Sequence, residues 1–144
     1  MPGNQVQGST PPEHSLTAPA EPGSLEQVHA VLEALWVEYN DVTPSDRMLF
    51  ETAVIEVAGN IAQHASAGVP LQFTLHLRVE PDRIEAEFRD HGRLVDVDLA
   101  AIALPDDSAE SGRGLAMARA AVDEFHYRRD GSTNQWRIVR RRQR

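Results

Sequence analysis

The sequence of 144 residues contains no cysteine and no lysine. A chain without cysteine forms no disulfide, no thiolate metal site and no cysteine nucleophile. The absence of lysine removes the lysine of a P-loop, which excludes an ATPase of the Walker type. No apolar run approaches the roughly 20 residues that a membrane helix needs, and no basic and apolar leader typical of a secretory signal is visible. A cytoplasmic protein without a membrane partner is the simplest expectation.

The charge balance is acidic, with 22 Asp and Glu residues against 14 basic residues and a formal net charge of −8. General nucleic-acid binders need a net basic face that displaces counterions, so direct binding to nucleic acid is not expected. The exception is an arginine-rich run at 140–144. Charge blocks of this kind are commonly solvated and frayed, and we therefore expect residues 141–144 to form a basic tail.

The chain length suits one domain, which we place at residues 14–140. Residues 1–13 have no apolar period and predict a disordered N-terminal segment. Weak alternation over 14–20 indicates a short edge strand. Apolar residues at helical spacing predict a helix over 25–38 and a second helix over about 45–65.

Alternation of apolar and polar residues is strict over 71–79 and returns over 84–88, which predicts a β-hairpin with one apolar face. A helix is predicted over about 115–124, and a second hairpin over 125–129 and 135–140. This order predicts an α+β two-layer sandwich, in which a mixed, mainly antiparallel sheet carries helices on one face.

The second predicted helix carries Glu56, Asn60 and His64 at intervals of four residues. This spacing places the three side chains in one column along the helix. A carboxylate, an amide and an imidazole in one column could serve as a proton acceptor, a metal ligand and a phosphate contact. On spacing alone, a polar stripe that faces water is the favoured interpretation.

Two later segments bear on this column. Asp90-His91-Gly92 lies at a strand end, where a carboxylate can accept from an exocyclic amine and glycine lets a ligand approach the backbone; a common turn is the alternative. The Ser-Gly-Arg-Gly segment at 111–114 precedes the third predicted helix, so its free N–H groups form an anion site. Arg113 could add a charge-assisted contact, although a flexible turn before the helix also explains this segment.

In this order and spacing, the three segments resemble the N, G1 and G2 boxes of the Bergerat-fold (GHKL) ATPases. Within that superfamily, the likeness is to the anti-sigma-factor serine/threonine kinases of bacterial partner-switching systems. The matching stretches are 56–64, 88–92 and 111–119, continued through 122–125. The resemblance implies the histidine-kinase-like ATPase fold, with ATP and Mg²⁺ as cofactors.

The resemblance also implies a role for each matching position. Glu56 would be the general base, Asn60 the Mg²⁺ ligand and Asp90 the reader of the adenine amino group. The segment at about 93–111 would be the ATP lid. His64 would either pack under the site or contact the ligand. The residues implied in nucleotide binding are Asn60, His64, Asp90, Gly92, Gly112, Arg113, Gly114 and Leu115.

The function that the resemblance implies is an anti-sigma factor that sequesters a sigma factor and phosphorylates a STAS-domain anti-anti-sigma partner on serine. Family members often dimerise, so a homodimer is among the expected states. Two departures leave an alternative open: Leu94 replaces a glycine of the wider superfamily, and Gln135 corresponds to a frequent threonine. The alternative is a non-catalytic binding module with a weakened nucleotide site. A histidine-kinase catalytic domain acting in trans is a third interpretation, disfavoured by the short lid and the missing dimerisation helices.

Overall fold

The computed structural model describes residues 14–64, 71–92 and 110–143. Within these ranges, five strands form one sheet in the order β1-β2-β3-β5-β4, and every pairing is antiparallel. The strands are β1 (His14–Pro19), β2 (Gln72–Val79), β3 (Arg83–Asp90), β4 (Glu124–Asp130) and β5 (Thr133–Arg141). The helices are α1 (Leu25–Glu38), α2 (Pro44–His64) and α3 (Glu110–Ala120), with a 3-10 turn at Pro22–Ser24.

The predicted two-layer α+β architecture is confirmed, and its sheet is antiparallel throughout the described strands. Alternate residues of the central strands point to one face, where the helices bury them. The opposite face of the sheet is lined by charged side chains that include Arg78, Glu87 and Arg89. The strict alternation in the sequence therefore matches a sheet whose apolar face is covered by the described helices and whose other face carries charged side chains.

Helix α2 is the central element of the helical layer. It contacts α1, α3, β3 and β5, and this position explains why so much of its circumference is apolar. Its fully or nearly buried apolar residues are Phe50, Ala53, Val54, Val57, Ala58, Ile61 and Ala62. None of the described helices combines the length and the apolar character needed to span a bilayer.

Helix α3 begins earlier than the sequence predicts. It covers Glu110–Ala120 instead of 115–124, and Glu124 already belongs to β4. The Ser-Gly-Arg-Gly segment therefore lies inside the first turns of the helix and not before it, so that part of the prediction is wrong. The rest of the predicted lid, 93–109, lies outside the described residues.

The arginine-rich end of the chain is held by hydrogen bonds up to residue 143. Arg141 is the last residue of β5. The Arg142 backbone N–H donates to the carbonyl of Asp82, and its side chain donates to the carbonyl of Glu80. The Gln143 N–H donates to the carboxylate of Asp46. The expectation of a frayed end is therefore wrong for these residues.

Candidate functional site

Asp90 is a buried carboxylate with one oxygen in use and one oxygen free. It is the last residue of β3, and the alternation of that strand turns its side chain toward the helical layer, where it is 1% exposed. Its Oδ1 accepts hydrogen bonds from the Gly92 N–H at 2.8 Å and from Asn134 Nδ2 at 2.9 Å. Its Oδ2 is buried without any hydrogen-bond partner. A buried polar atom left in this state is costly, so Oδ2 is an acceptor ready for a donor on a ligand.

Asn134 is the side chain that the sequence interpretation missed. It lies directly opposite Asp90 in the register of β3 and β5 and is fully buried. Gln135, by contrast, lies on the other face of the sheet, where its Oε1 accepts from Arg128 Nε at 2.9 Å. The residue beside Asp90 is therefore Asn134 and not Gln135, because neighbouring strand residues face opposite sides of the sheet. The buried Trp136 and Ile138 at alternate positions could have indicated Asn134.

Two side chains of the edge strand β4 complete this cluster. The Tyr127 hydroxyl donates to Asn134 Oδ1 at 2.5 Å. Arg129 Nη1 donates to the same oxygen at 3.0 Å and to the Gly92 carbonyl at 2.8 Å. Gly92 is thus held through both its N–H and its carbonyl, and the turn after β3 has a defined conformation. Neither Tyr127 nor Arg129 was singled out from the sequence, because polar residues on an edge strand have no distinctive spacing.

Glu56 and Gly114 meet where α2 and α3 pack together. A methyl group at position 114 would overlap Oε2 of the Glu56 carboxylate. Glycine at this position therefore lets the helices approach closely around the carboxylate. This contact joins the first predicted segment to the third, and the spacing of neither segment alone could have shown it.

The remaining predicted residues take different places in the structure. Asn60, one turn after Glu56, is 8% exposed, and its Nδ2 is buried without a partner. Leu115 is 3% exposed and packs in the hydrophobic core, so its side chain supports α3. Gly112 and Arg113 lie in the first turn of α3, and His64 is the last residue of α2. The side chains of Arg113 and His64 lie outside the described part of the structure.

The family model of the histidine kinase-like ATPase domain matches residues 18–140. The chain belongs to this family. Among solved structures, it is similar to the RsbU and RsbW domains of Rv1364c from Mycobacterium tuberculosis, with a TM-score of 0.65 and 20% identity. The match covers 93% of this chain and 33% of that one. At this identity the likeness shows the fold alone. No curated protein matches the chain.

The histidine kinase-like ATPase domain binds a nucleotide, generally with Mg²⁺, and the residues of this chain fit both groups. The free Oδ2 of Asp90 suits a base that carries an amino group. No cluster of three or more acidic or histidine side chains that could hold a metal occurs in the described ranges. Mg²⁺ needs no such cluster, since it is commonly held by one or two protein ligands together with substrate phosphates and water. Asn60, whose amide lacks a partner at its nitrogen, can turn its oxygen toward such an ion.

Proposed function

We propose that this protein binds ATP with Mg²⁺, sequesters a sigma factor and phosphorylates a STAS-domain anti-anti-sigma partner on serine. The observation that carries the nucleotide part is the buried, unpartnered Oδ2 of Asp90 beside two fixed donors. The classes of protein partner come from the resemblance to the anti-sigma-factor kinases. The family membership supports the ATPase chemistry.

Adenine would be recognised at Asp90. Its Oδ1 is occupied by the Gly92 N–H and by Asn134, so Oδ2 is the atom left to accept a hydrogen bond. The 6-amino group of adenine is a donor that matches this acceptor. Gly92 is buried and carries no side chain, so the base would be able to approach the backbone there.

Phosphoryl transfer would depend on Glu56. Its carboxylate takes the proton of the partner's serine hydroxyl while the serine oxygen forms a bond to the γ-phosphorus, and the bond from that phosphorus to the bridging oxygen breaks to release ADP. Gly114 keeps α3 close to the carboxylate. Asn60, one helical turn away, would hold Mg²⁺, which neutralises charge on the phosphates. The N–H groups in the first turn of α3, including that of Gly112, are suited to phosphate oxygens.

The proposal is tested by incubating the protein with Mg·ATP and a purified STAS-domain partner and by identifying phosphoserine by mass spectrometry. We expect the wild type to transfer phosphate, and Asn60→Ala and Glu56→Gln to lose most of the transfer. Gln63→Ala is a matched control, because Gln63 is an exposed residue of the same helix. Complex formation with a sigma factor is followed separately by size-exclusion chromatography.

Transfer by Asn60→Ala at the wild-type rate would overturn the assignment of the metal ligand. A wild type that binds ATP, retains the sigma factor and yields no phosphoserine would instead favour the non-catalytic binding module. One of the two grounds for that alternative, Gln135, is weakened by its place in the sheet. Gln135 does not lie beside Asp90, and the position beside Asp90 is filled by Asn134, a residue that donates to it. The other ground, Leu94, lies outside the described residues.

A further inference from the structure

We propose that Asn134 is a positioning residue that fixes the Asp90 carboxylate as a hydrogen-bond acceptor toward the ligand. Asn134 would thereby set the preference for purines with a 6-amino group over purines without one. The inference rests on the proposed nucleotide binding. Its new element is the support that β4 and β5 provide behind Asp90.

All of the polar atoms of the Asn134 side chain are in use. Its Nδ2 donates to Asp90 Oδ1 at 2.9 Å and to the Gly92 carbonyl at 3.4 Å. Its Oδ1 accepts from the Tyr127 hydroxyl at 2.5 Å and from Arg129 Nη1 at 3.0 Å. The side chain is 0% exposed, so water does not compete for these bonds.

Arg129 determines which way the Asn134 amide faces. A guanidinium has donors and no acceptor, so the group that it contacts must be the amide oxygen. The amide nitrogen then faces Asp90 and can only donate. Because Arg129 also donates to the Gly92 carbonyl at 2.8 Å, the same side chain holds both groups that surround Asp90.

The orientation of Asn134 sets what Asp90 can bind. Two donors, Asn134 Nδ2 and the Gly92 N–H, hold Asp90 Oδ1, and this leaves Oδ2 aimed away from them with its lone pairs free. A donor such as the 6-amino group of adenine satisfies Oδ2. A purine with hydrogen at this position leaves the oxygen unsatisfied, which is the costly outcome for a buried charged acceptor.

Calorimetry with two nucleotides tests the inference. The affinities of Mg·ATP and of Mg·purine riboside triphosphate, which lacks the 6-amino group, are measured for the wild type, Asn134→Leu and Gln135→Leu. We expect the wild type to bind ATP more tightly than the analogue. In Asn134→Leu the ratio of the two affinities should fall about tenfold, because the affinity for ATP falls while the affinity for the analogue changes little. Gln135→Leu changes the neighbouring residue on the opposite face of the sheet and should keep the wild-type ratio.

The ratio of the two affinities separates positioning from a merely structural role. A general loosening of the fold would weaken both nucleotides equally, whereas misplacement of Asp90 weakens ATP alone. Tyr127→Phe is the second variant, because it removes one donor to Asn134 and keeps the ring against Trp136 at 4.5 Å between centroids. We expect it to lower the ratio about threefold. If Asn134→Leu fails to fold, the affinity ratio of Tyr127→Phe tests the inference in its place.

Three results have distinct meanings. A ratio that stays at the wild-type value in Asn134→Leu, or in Tyr127→Phe if the first variant is unfolded, overturns this inference and leaves the proposed function standing. A wild type that binds neither nucleotide overturns both. A wild type that binds both nucleotides equally shows that Asp90 does not read the amino group, and this also overturns the inference.

Discussion

Two buried aspartates at opposite ends of the β3–β5 pair differ in how their carboxylates are satisfied. Asp46, in the first turn of α2, is 0% exposed; its Oδ1 accepts from Arg140 Nε at 2.9 Å and its Oδ2 from the Gln143 N–H at 2.8 Å. Asp90 is equally buried, but both of its donors hold Oδ1 and its Oδ2 has none. Arg140, the partner of Asp46, pairs with Ile84 near the start of β3, whereas Asp90 is the last residue of that strand.

The comparison shows that burial alone does not distinguish a carboxylate with full partners from the carboxylate that we propose to bind a ligand. Asp46 ties α2 to β5 through Arg140, which also donates to the Ala121 carbonyl just after α3. A buried charge with full partners holds elements together, and removal of one partner is strongly destabilising. A buried carboxylate oxygen without a partner lowers the stability of the free protein, and a ligand that donates a hydrogen bond to it removes this cost.

The largest effect should follow from breaking the Asp46 end. Arg140→Met leaves the Asp46 charge buried without its cationic partner, and we expect a loss of about 3–5 kcal/mol in the free energy of unfolding. Urea unfolding followed by circular dichroism measures it. Arg141→Met, at the adjacent exposed position, should change stability by no more than about 0.5 kcal/mol. Equal losses in the two variants would contradict a structural role for the ion pair.

The Asp90 end should show the reverse pattern. In Asp90→Asn the amide oxygen can still accept from Gly92 and Asn134, while the amide nitrogen replaces the free oxygen and presents a donor to the adenine amine. We expect ATP affinity to fall about 100-fold or more, with stability changed by less than about 1 kcal/mol. Asp46→Asn is the reciprocal variant: it should lower stability and leave the ATP affinity of the folded protein unchanged. If Asp90→Asn kept the wild-type affinity for ATP, Asp90 would have no role in nucleotide binding that Asp46 lacks.

A third carboxylate, Glu56, extends the comparison to a group positioned by helix packing. In Gly114→Ala the added methyl group must displace the Glu56 carboxylate, so we expect kcat for phosphoryl transfer to fall about 100-fold and ATP affinity to change little. Gly59→Ala is a matched control, since a methyl group there meets no atom within 4 Å. It should keep kcat and raise the unfolding free energy by about 0.5–1 kcal/mol. A normal kcat in Gly114→Ala would show that the position of Glu56 does not limit transfer.

The smallest effect concerns Glu85, on the charged face of the sheet. Partial burial raises the pKa of its carboxyl, but Arg83 at 2.5 Å and Arg137 at 3.3 Å outweigh this and hold the pKa below its ordinary value of 4.5. A lowered pKa contributes stability above the ordinary value, and this contribution is lost as pH falls through the folded-state pKa. Glu85→Gln should therefore be less stable than the wild type by up to about 1 kcal/mol at pH 7. The difference should close in acid, as followed by unfolding from pH 7 to pH 3; a constant difference would exclude an ionic origin.

The local pattern of the sequence predicted most of the fold. The α1 helix was predicted at 25–38 and lies at Leu25–Glu38, and the first hairpin followed from alternation that the sheet confirms. The start of α3 was missed by five residues. Glycines near a helix start suggest a turn, whereas packing of α3 against α2 in the structure allows the helix to include them.

The features of the candidate site also fall into two groups, those that the sequence identified and those that only the structure revealed. The sequence by itself determined the two-layer fold, because hydrophobic periodicity is a local property of the chain. Its resemblance to the Bergerat-fold ATPases, and not spacing alone, singled out Glu56, Asn60 and Asp90. Only the tertiary structure decided that Asn134 and not Gln135 faces Asp90, that Gly114 meets Glu56, and that Asp46 is structural. Each of these depends on strand register or helix approach between residues 44 to 97 positions apart, and no local pattern encodes such a distance.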